Sequence, residues 1–208
     1  MNLEQLANWF FRLNGCLTMT NFIVHDESTA SQRTDIDILA VRFPYRREKA
    51  GPKPLSDHEA FQNLTKTGFL IAEIKAGTCR LNGPWTDPDK GNLARVLSAI
   101  GIVKKDVINS VADALYENSY YEDDQLIIRL FTLGRRRNDS LAEKVVQITW
   151  SEIADFFFYR FKEHNYYKRQ HEHWDECGKK LFEIWSDNSS CQEDFKNKLL
   201  RLFDVSGQ

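Results

Sequence analysis

The apolar positions of the chain follow two periods. Leu3, Leu6, Ala7, Phe10 and Leu13 recur at the three-and-four spacing of a helix face, behind an Asn2–Gln5 pair spaced as a capping box. That pattern predicts a helix to about Asn14, stopped by Gly15. Met19 to His25 and Ile36 to Phe43 are rich in Ile, Val, Leu, Phe and Thr and read as two strands around a polar loop, Asp26 to Arg33. Phe69 to Ala76 is a third strand. The intervening stretch, Tyr45 to Lys66, carries Gly51, Pro52, Pro54 and a short capped segment, Ser56–Glu59, and is expected to be an excursion at one edge. Gly77, Gly83, Pro84 and Pro88 then break the chain. Asp87 before Pro88 opens a helix continued by Leu93, Val96, Leu97 and Ile100 and ended by Gly101, with a second helical pattern from Val103 to Tyr116. Gln125 to Leu133 and Lys144 to Thr149 are further strands around the basic turn Gly134–Ser140. Thr149-Trp150-Ser151-Glu152 is a capping signature for a helix to about His164, and Trp174–Trp185 and Glu193–Phe203 complete a helical tail.

The order αβββα(α)ββααα predicts an α/β protein. Strands two and three are apolar on both faces, which requires helices on both sides of the sheet. With 208 residues and 42% hydrophobic side chains, the chain can fill one sizeable core, and no internal composition break marks a linker. The expected organisation is a core over residues 1–150 with a helical extension, 151–208, packed on the same domain. No apolar run approaches the roughly 20 residues of a membrane span, and the N-terminus lacks the basic and apolar regions of a signal peptide. A cytoplasmic protein without membrane contact is expected. Twenty-eight basic against 30 acidic residues leave a net charge of −2, so nucleic acid would have to be met by local patches. Cys16, Cys79, Cys177 and Cys191 form no CxxC pair and are expected to be reduced and mostly buried. His164, His171, His173 and Cys177 offer only one helical i, i+4 pair, too little for a zinc site.

Chemistry enters where acids interrupt the strands. Asp35 and Asp37 lie two apart in Thr34–Val41, as do Glu73 and Lys75 in Leu70–Ala76, so each pair shares one face of its strand. A carboxylate in an apolar strand is costly to desolvate without a cation. If strands two and three are neighbours, Asp37 and Glu73 can converge on one hard ion beside Lys75, and oxygen ligands suit Mg²⁺ or Mn²⁺. The bland alternative is a solvated edge strand or a structural Glu–Lys pair.

At these residues the chain resembles the PD-(D/E)xK nuclease superfamily, whose motif is an acid on one strand followed by an apolar strand carrying Glu or Asp, any residue, and Lys. Asp37 takes the first place and Glu73-Ile74-Lys75 the second, over roughly residues 1 to 150. The resemblance implies the restriction-endonuclease-like fold, a central mixed sheet flanked by helices with an αβββαβ core, here with a C-terminal helical extension. It implies a metal-dependent nuclease: Asp37, Glu73 and the Ile74 carbonyl as metal ligands, Lys75 assisting the attacking water, and products with 5′-phosphate and 3′-hydroxyl ends. Some members add an acid from the first helix, which makes Glu4 a further candidate; otherwise Glu4 simply suits the positive end of its helix. No proline precedes the first acid, a departure shared with many members.

The expected substrate is DNA, with Arg42, Arg46, Arg47 and Lys49 on one side and Arg135, Arg136 and Arg137 on the other as candidate phosphate contacts. The aromatic run Phe156–Tyr159, with Phe161, Tyr166 and Tyr167, is expected to serve packing or an interface to a second copy or a protein partner. Two other readings compete. A nucleotidyltransferase would use Asp35, Asp37 and Glu73, although the glycine-serine turn such enzymes carry upstream is missing. A catalytically silent nuclease-like fold would serve as an interaction module.

Overall fold

In a computed structural model, which describes residues 1–25, 32–46, 56–62, 64–141, 145–168 and 174–203, a six-stranded mixed sheet is flanked by helices on both faces. Helix α1 spans Leu3–Leu13. Its capping box is closed in both directions: Gln5 N–H donates to Asn2 Oδ1 at 2.8 Å, and Asn2 N–H donates to Gln5 Oε1 at 2.9 Å. Gly15, at φ 79°, turns the chain out of the helix in a left-handed conformation natural to glycine.

Strands β1 (Leu17–His25), β2 (Gln32–Arg42) and β3 (Thr67–Ile74) form an antiparallel meander, and β5 (Leu126–Gly134) joins β3 in parallel from Thr67↔Leu126 to Ile74↔Leu133. The far edge of β5 is shared. β4 (Tyr120–Glu122) runs antiparallel along Ile127–Arg129, and β6 (Val146–Thr149) runs parallel along Phe131–Gly134. The parallel step from β3 to β5 requires a long crossover, filled by α3 (Gly83–Thr86), α4 (Asn92–Ile100) and α5 (Ile108–Asn118). The sheet then passes to α6 (Trp150–Lys168), α7 (Glu176–Asp187) and α8 (Gln192–Leu202).

The two-sided apolar pattern of β2 and β3 divides as expected. Ile38, Ala40, Leu70 and Ala72 face α1 and the C-terminal helices, while Leu39 and Ile71 face α4 and α5. On the first face Phe10, Phe11, Phe61 and Phe131 meet edge-on or stacked, each fully buried, for roughly 1.5–3 kcal/mol apiece. Phe156, Phe157, Phe158 and Phe161 join the same cluster, as do Trp185, Phe195 and Leu199. The aromatics of the tail therefore spend most of their surface inside, binding α6 to α8 onto α1. Tyr159 stays exposed, its hydroxyl on Gln192. Among the described residues no helix is long and apolar enough to cross a membrane.

Three details differ from the pattern reading. Of the stretch Tyr45–Lys66, residues 47–55 and 63 lie outside the described residues, and the described part is no edge excursion: a short helix α2 (Glu59–Gln62) drives Phe61 into the core, and Leu64 is buried in the same core cluster. Asp87 and Pro88 open only a 3₁₀ turn, Pro88–Lys90, and α4 starts afresh after Gly91, whose left-handed φ of 60° breaks the continuity. Strand β4 has no counterpart in the sequence pattern, because Tyr120–Glu122 is too short for any alternation to register.

The segment before α2 also supplies a charged hub. Asp57 accepts from Arg42 at 2.5 Å and from Arg160 at 2.8 Å, with Arg46 at 3.4 Å. Arg42 further donates to the Asn14 carbonyl, and Arg160 to the carbonyls of Leu13 and Ser56. Together these bonds join the end of α1, β2, α6 and the segment before α2. Removing one partner of such a buried network strands the others in a poor solvent. Asp57→Ala is expected to cost about 3–5 kcal/mol in denaturant unfolding; a loss under about 1 kcal/mol would show that the guanidiniums are adequately hydrated without it.

Candidate functional site

The β2–β3 ladder pairs Ile38 with Ala72, and the next position on each strand is Asp37 and Glu73. No further pairing is made beyond that point, while β3 continues on its other side along β5 to Ile74↔Leu133. The strands fork. The amide of Ile74, which loses its β2 partner there, is instead capped by the Asp37 carboxylate, with N–H donating to Oδ2 at 2.6 Å. A backbone donor left by the parting strands thus fixes where Asp37 sits.

Glu73 lies on the α4–α5 side of the fork, where α3 packs against it. It is 5% exposed. Its Oε1 accepts from Lys75 Nζ at 2.5 Å and from Asn82 Nδ2, and its Oε2 accepts from the indole N–H of Trp85 at 2.8 Å. Lys75 is held through its backbone as well: its N–H donates to the Leu133 carbonyl at 2.8 Å, and its carbonyl accepts from Trp150 Nε1 at 3.0 Å.

Asp37 is electrostatically frustrated. Burial pushes its pKa up to about 6; the Ile74 N–H pulls it down, the Glu73 carboxylate raises it, the Lys75 ammonium lowers it and Glu4 raises it again. The carboxylates of Glu73 on β3 and Glu4 on α1 are therefore both within electrostatic reach of Asp37, and Glu4 shares a surface cavity with Ile74. Asp35 is exposed on β2, opposite Ile23 of β1.

The loop after Lys75 returns over β5. Thr132, opposite Glu73 in the ladder, accepts from Arg80 N–H at 3.1 Å and donates to its carbonyl at 3.0 Å. Gly134 lets this loop lie close, since a Cβ there would stand 2.7 Å from the Gly77 carbonyl oxygen. The basic turn is consequently beside the site: Arg135 N–H donates to Gly77, and Arg136 bridges to Thr78. Its side chains differ in availability. Arg137 is paired with Glu152 at the start of α6, whereas Arg136 is exposed, as is Arg80, which has no counterpart among the residues selected from sequence.

The other basic cluster is not brought to the fork. Arg42 is 8% exposed and committed to Asp57, and Arg46 contacts the same aspartate. Arg47, Lys49, His171 and His173 lie outside the described residues. Asn82, Trp85 and Trp150, which hold Glu73 and Lys75, were also not singled out by sequence; the compact Asn82-Gly83-Pro84-Trp85 run was the available signal. The donor set at the fork consists of hard oxygens from Asp37, Glu73 and the Ile74 backbone, which suits Mg²⁺ or Mn²⁺ completed by water and phosphate. Among the described residues no group of three or more His, Cys, Asp or Glu is arranged to enclose a metal by itself. Comparison of the chain with protein-family models, with curated proteins and with solved structures finds no match.

A carboxyl with a pKa near 6 when folded and near 4 when unfolded binds more protons in the native state across that window. Native stability contributed by Asp37 is therefore greatest below about pH 4, falls as pH rises towards 6, and stays reduced above it. The difference corresponds to at most about 3 kcal/mol, which partial exposure reduces to roughly 1–2. Asn at this position keeps an acceptor for Ile74 and carries no charge. In chelator-containing buffer, Asp37→Asn is expected to be the more stable protein at pH 8, by roughly 1 kcal/mol, with the gain vanishing near pH 4. A variant less stable than wild type at pH 8 would contradict the frustrated carboxylate.

Proposed function

We propose that the chain is a Mg²⁺- or Mn²⁺-dependent nuclease of restriction-endonuclease-like fold that hydrolyses phosphodiester bonds of DNA. One observation carries this reading: Asp37 is fixed beside Glu73-Ile74-Lys75 by the fork between β2 and β3. Support comes also from the order of elements, an antiparallel meander β1–β2–β3 followed by a helical crossover to β5 in parallel with β3.

In this reading Asp37, Glu73 and the Ile74 carbonyl would hold the ion, and Glu4, which acts electrostatically on Asp37, would add negative charge from α1. The ion, when bound, lowers the pKa of its water and polarises the phosphoryl oxygens. Lys75, the cation nearest Glu73, orients the attacking water or offsets the negative charge that grows on the phosphate. Water adds to phosphorus, the bond to the 3′ oxygen breaks, and the products carry 5′-phosphate and 3′-hydroxyl ends. Arg80, on the loop after Lys75, and Arg136, on the adjoining loop after β5, are exposed and are candidate contacts to the phosphate backbone. The nucleotidyltransferase reading would draw its third acid from Asp35, which is exposed on β2 opposite Ile23 of β1.

Incubation with linear and circular, single- and double-stranded DNA and with RNA tests the reading. Cleavage requiring Mg²⁺ or Mn²⁺ is expected, reduced at least about 100-fold by Asp37→Ala and by Lys75→Ala. Cleavage that survives Asp37→Ala or EDTA would overturn it. Transfer of a nucleoside monophosphate without DNA cleavage would instead favour the nucleotidyltransferase, and silence on all substrates the interaction module.

A further inference from the structure

The surroundings of Glu73 are more elaborate than a metal-binding carboxylate alone requires. Trp85 is 3% exposed and packs among Leu93, Val96, Leu97 and Leu115 on the α4–α5 face, so its indole has little freedom. Pro84 precedes it in the first turn of α3, and the Pro84 carbonyl and the Leu93 amide both meet the hydroxyl of Tyr116, which ties that turn to α4 and α5. Asn82 stands at the start of the same turn, where its side chain makes no capping bond to α3 and reaches Glu73 instead. An indole N–H donates and cannot accept. The packed crossover thus presents two fixed donors to one carboxylate, one per oxygen.

Counting acceptor positions sharpens the point. A carboxylate accepts about four hydrogen bonds, two per oxygen. Lys75 and Asn82 fill Oε1, and Trp85 takes one position on Oε2. Among the described groups, Oε2 alone retains capacity.

We infer that Trp85 and Asn82 are positioning residues for Glu73: they fix the rotation of its carboxylate so that the capacity left on Oε2 serves a divalent cation, while Lys75 stays on Oε1. This rests on the reading of Glu73 as a metal-binding residue. Neither side chain takes part in the chemistry. Their contribution is to cation affinity, because a carboxylate free to rotate must be ordered again on each binding event, and loss of hydrogen bonds that orient metal ligands typically weakens metal binding 10- to 100-fold.

Binding of Mn²⁺ alone to the full chain, followed by the electron paramagnetic resonance of free Mn²⁺, separates the two levels of inference. Wild type is expected to bind and Asp37→Asn to lose binding. Trp85→Phe keeps an aromatic ring in the core but removes the donor, and is expected to bind about 10-fold more weakly. Asn82→Ala, on an exposed residue whose loss leaves the core intact, is expected to weaken binding in the same direction and decides the matter if Trp85→Phe does not fold. At saturating Mn²⁺ the cleavage rates of folded Trp85→Phe and Asn82→Ala return to within a few-fold of wild type, a recovery a damaged catalytic group would not show. Folded variants that bind Mn²⁺ as tightly as wild type, with Asp37→Asn still deficient, would overturn the positioning role and leave the metal site standing. Absence of Mn²⁺ binding by wild type would overturn both.

Discussion

The structure around the candidate site depends on one hydrogen bond, from the Ile74 amide to the Asp37 carboxylate, made where β2 and β3 part. A sheet that stops pairing in its interior leaves backbone donors without partners, and each costs on the order of 1–3 kcal/mol if nothing replaces the lost bond. Here an acidic side chain replaces it. The substitution resolves one difficulty and creates another, because the same carboxylate is now partly buried next to Glu73 and within reach of Glu4. Lys75 answers part of that negative charge and is itself engaged with Glu73. The fork therefore concentrates acceptor oxygens whose negative charge the protein answers only in part.

What surrounds the fork is rigid for reasons that can be named. β3 is buried on both faces and carries Glu73, with Lys75 following directly after its last residue. Trp150 opens α6 and reaches across to the Lys75 carbonyl, so the helical tail fixes the backbone of the site as well as covering the core. Thr132 and Gly134 on β5 hold the returning loop close. On the opposite end of α1, the Asp57 hub fastens β2 to α6 through buried arginines. Polar tethers at both ends of a strongly aromatic core give a scaffold in which the acidic residues have little room to rearrange.

Much of this was legible in the sequence. The capping box of α1, the two-faced strands β2 and β3, and the helical tail follow from periodicity and from local hydrogen-bonding rules. The spacing of Asp37, Glu73 and Lys75 was equally visible, since two-residue alternation on neighbouring strands is enough to suggest convergence. The rest depended on contacts between distant segments. Arg42 and Arg46 look like exposed cations in a basic stretch until Asp57, more than ten residues further along the chain, is found bonded to both. Trp85 reads as an ordinary core aromatic, and only the fold shows that its N–H is aimed at Glu73. Arg80 sits among turn residues with no periodic pattern, so its exposure beside the site was invisible in the chain.

The convergence of Asp37 and Glu73 on one cation is tested most directly by anomalous diffraction from crystals soaked in Mn²⁺. A single anomalous peak is expected in the fork, within coordination distance of an Asp37 oxygen, a Glu73 oxygen and the Ile74 carbonyl. A fully soaked crystal with no peak there, and with Lys75 and Asp37 unchanged around an unbound Glu73, would contradict the metal site at its root.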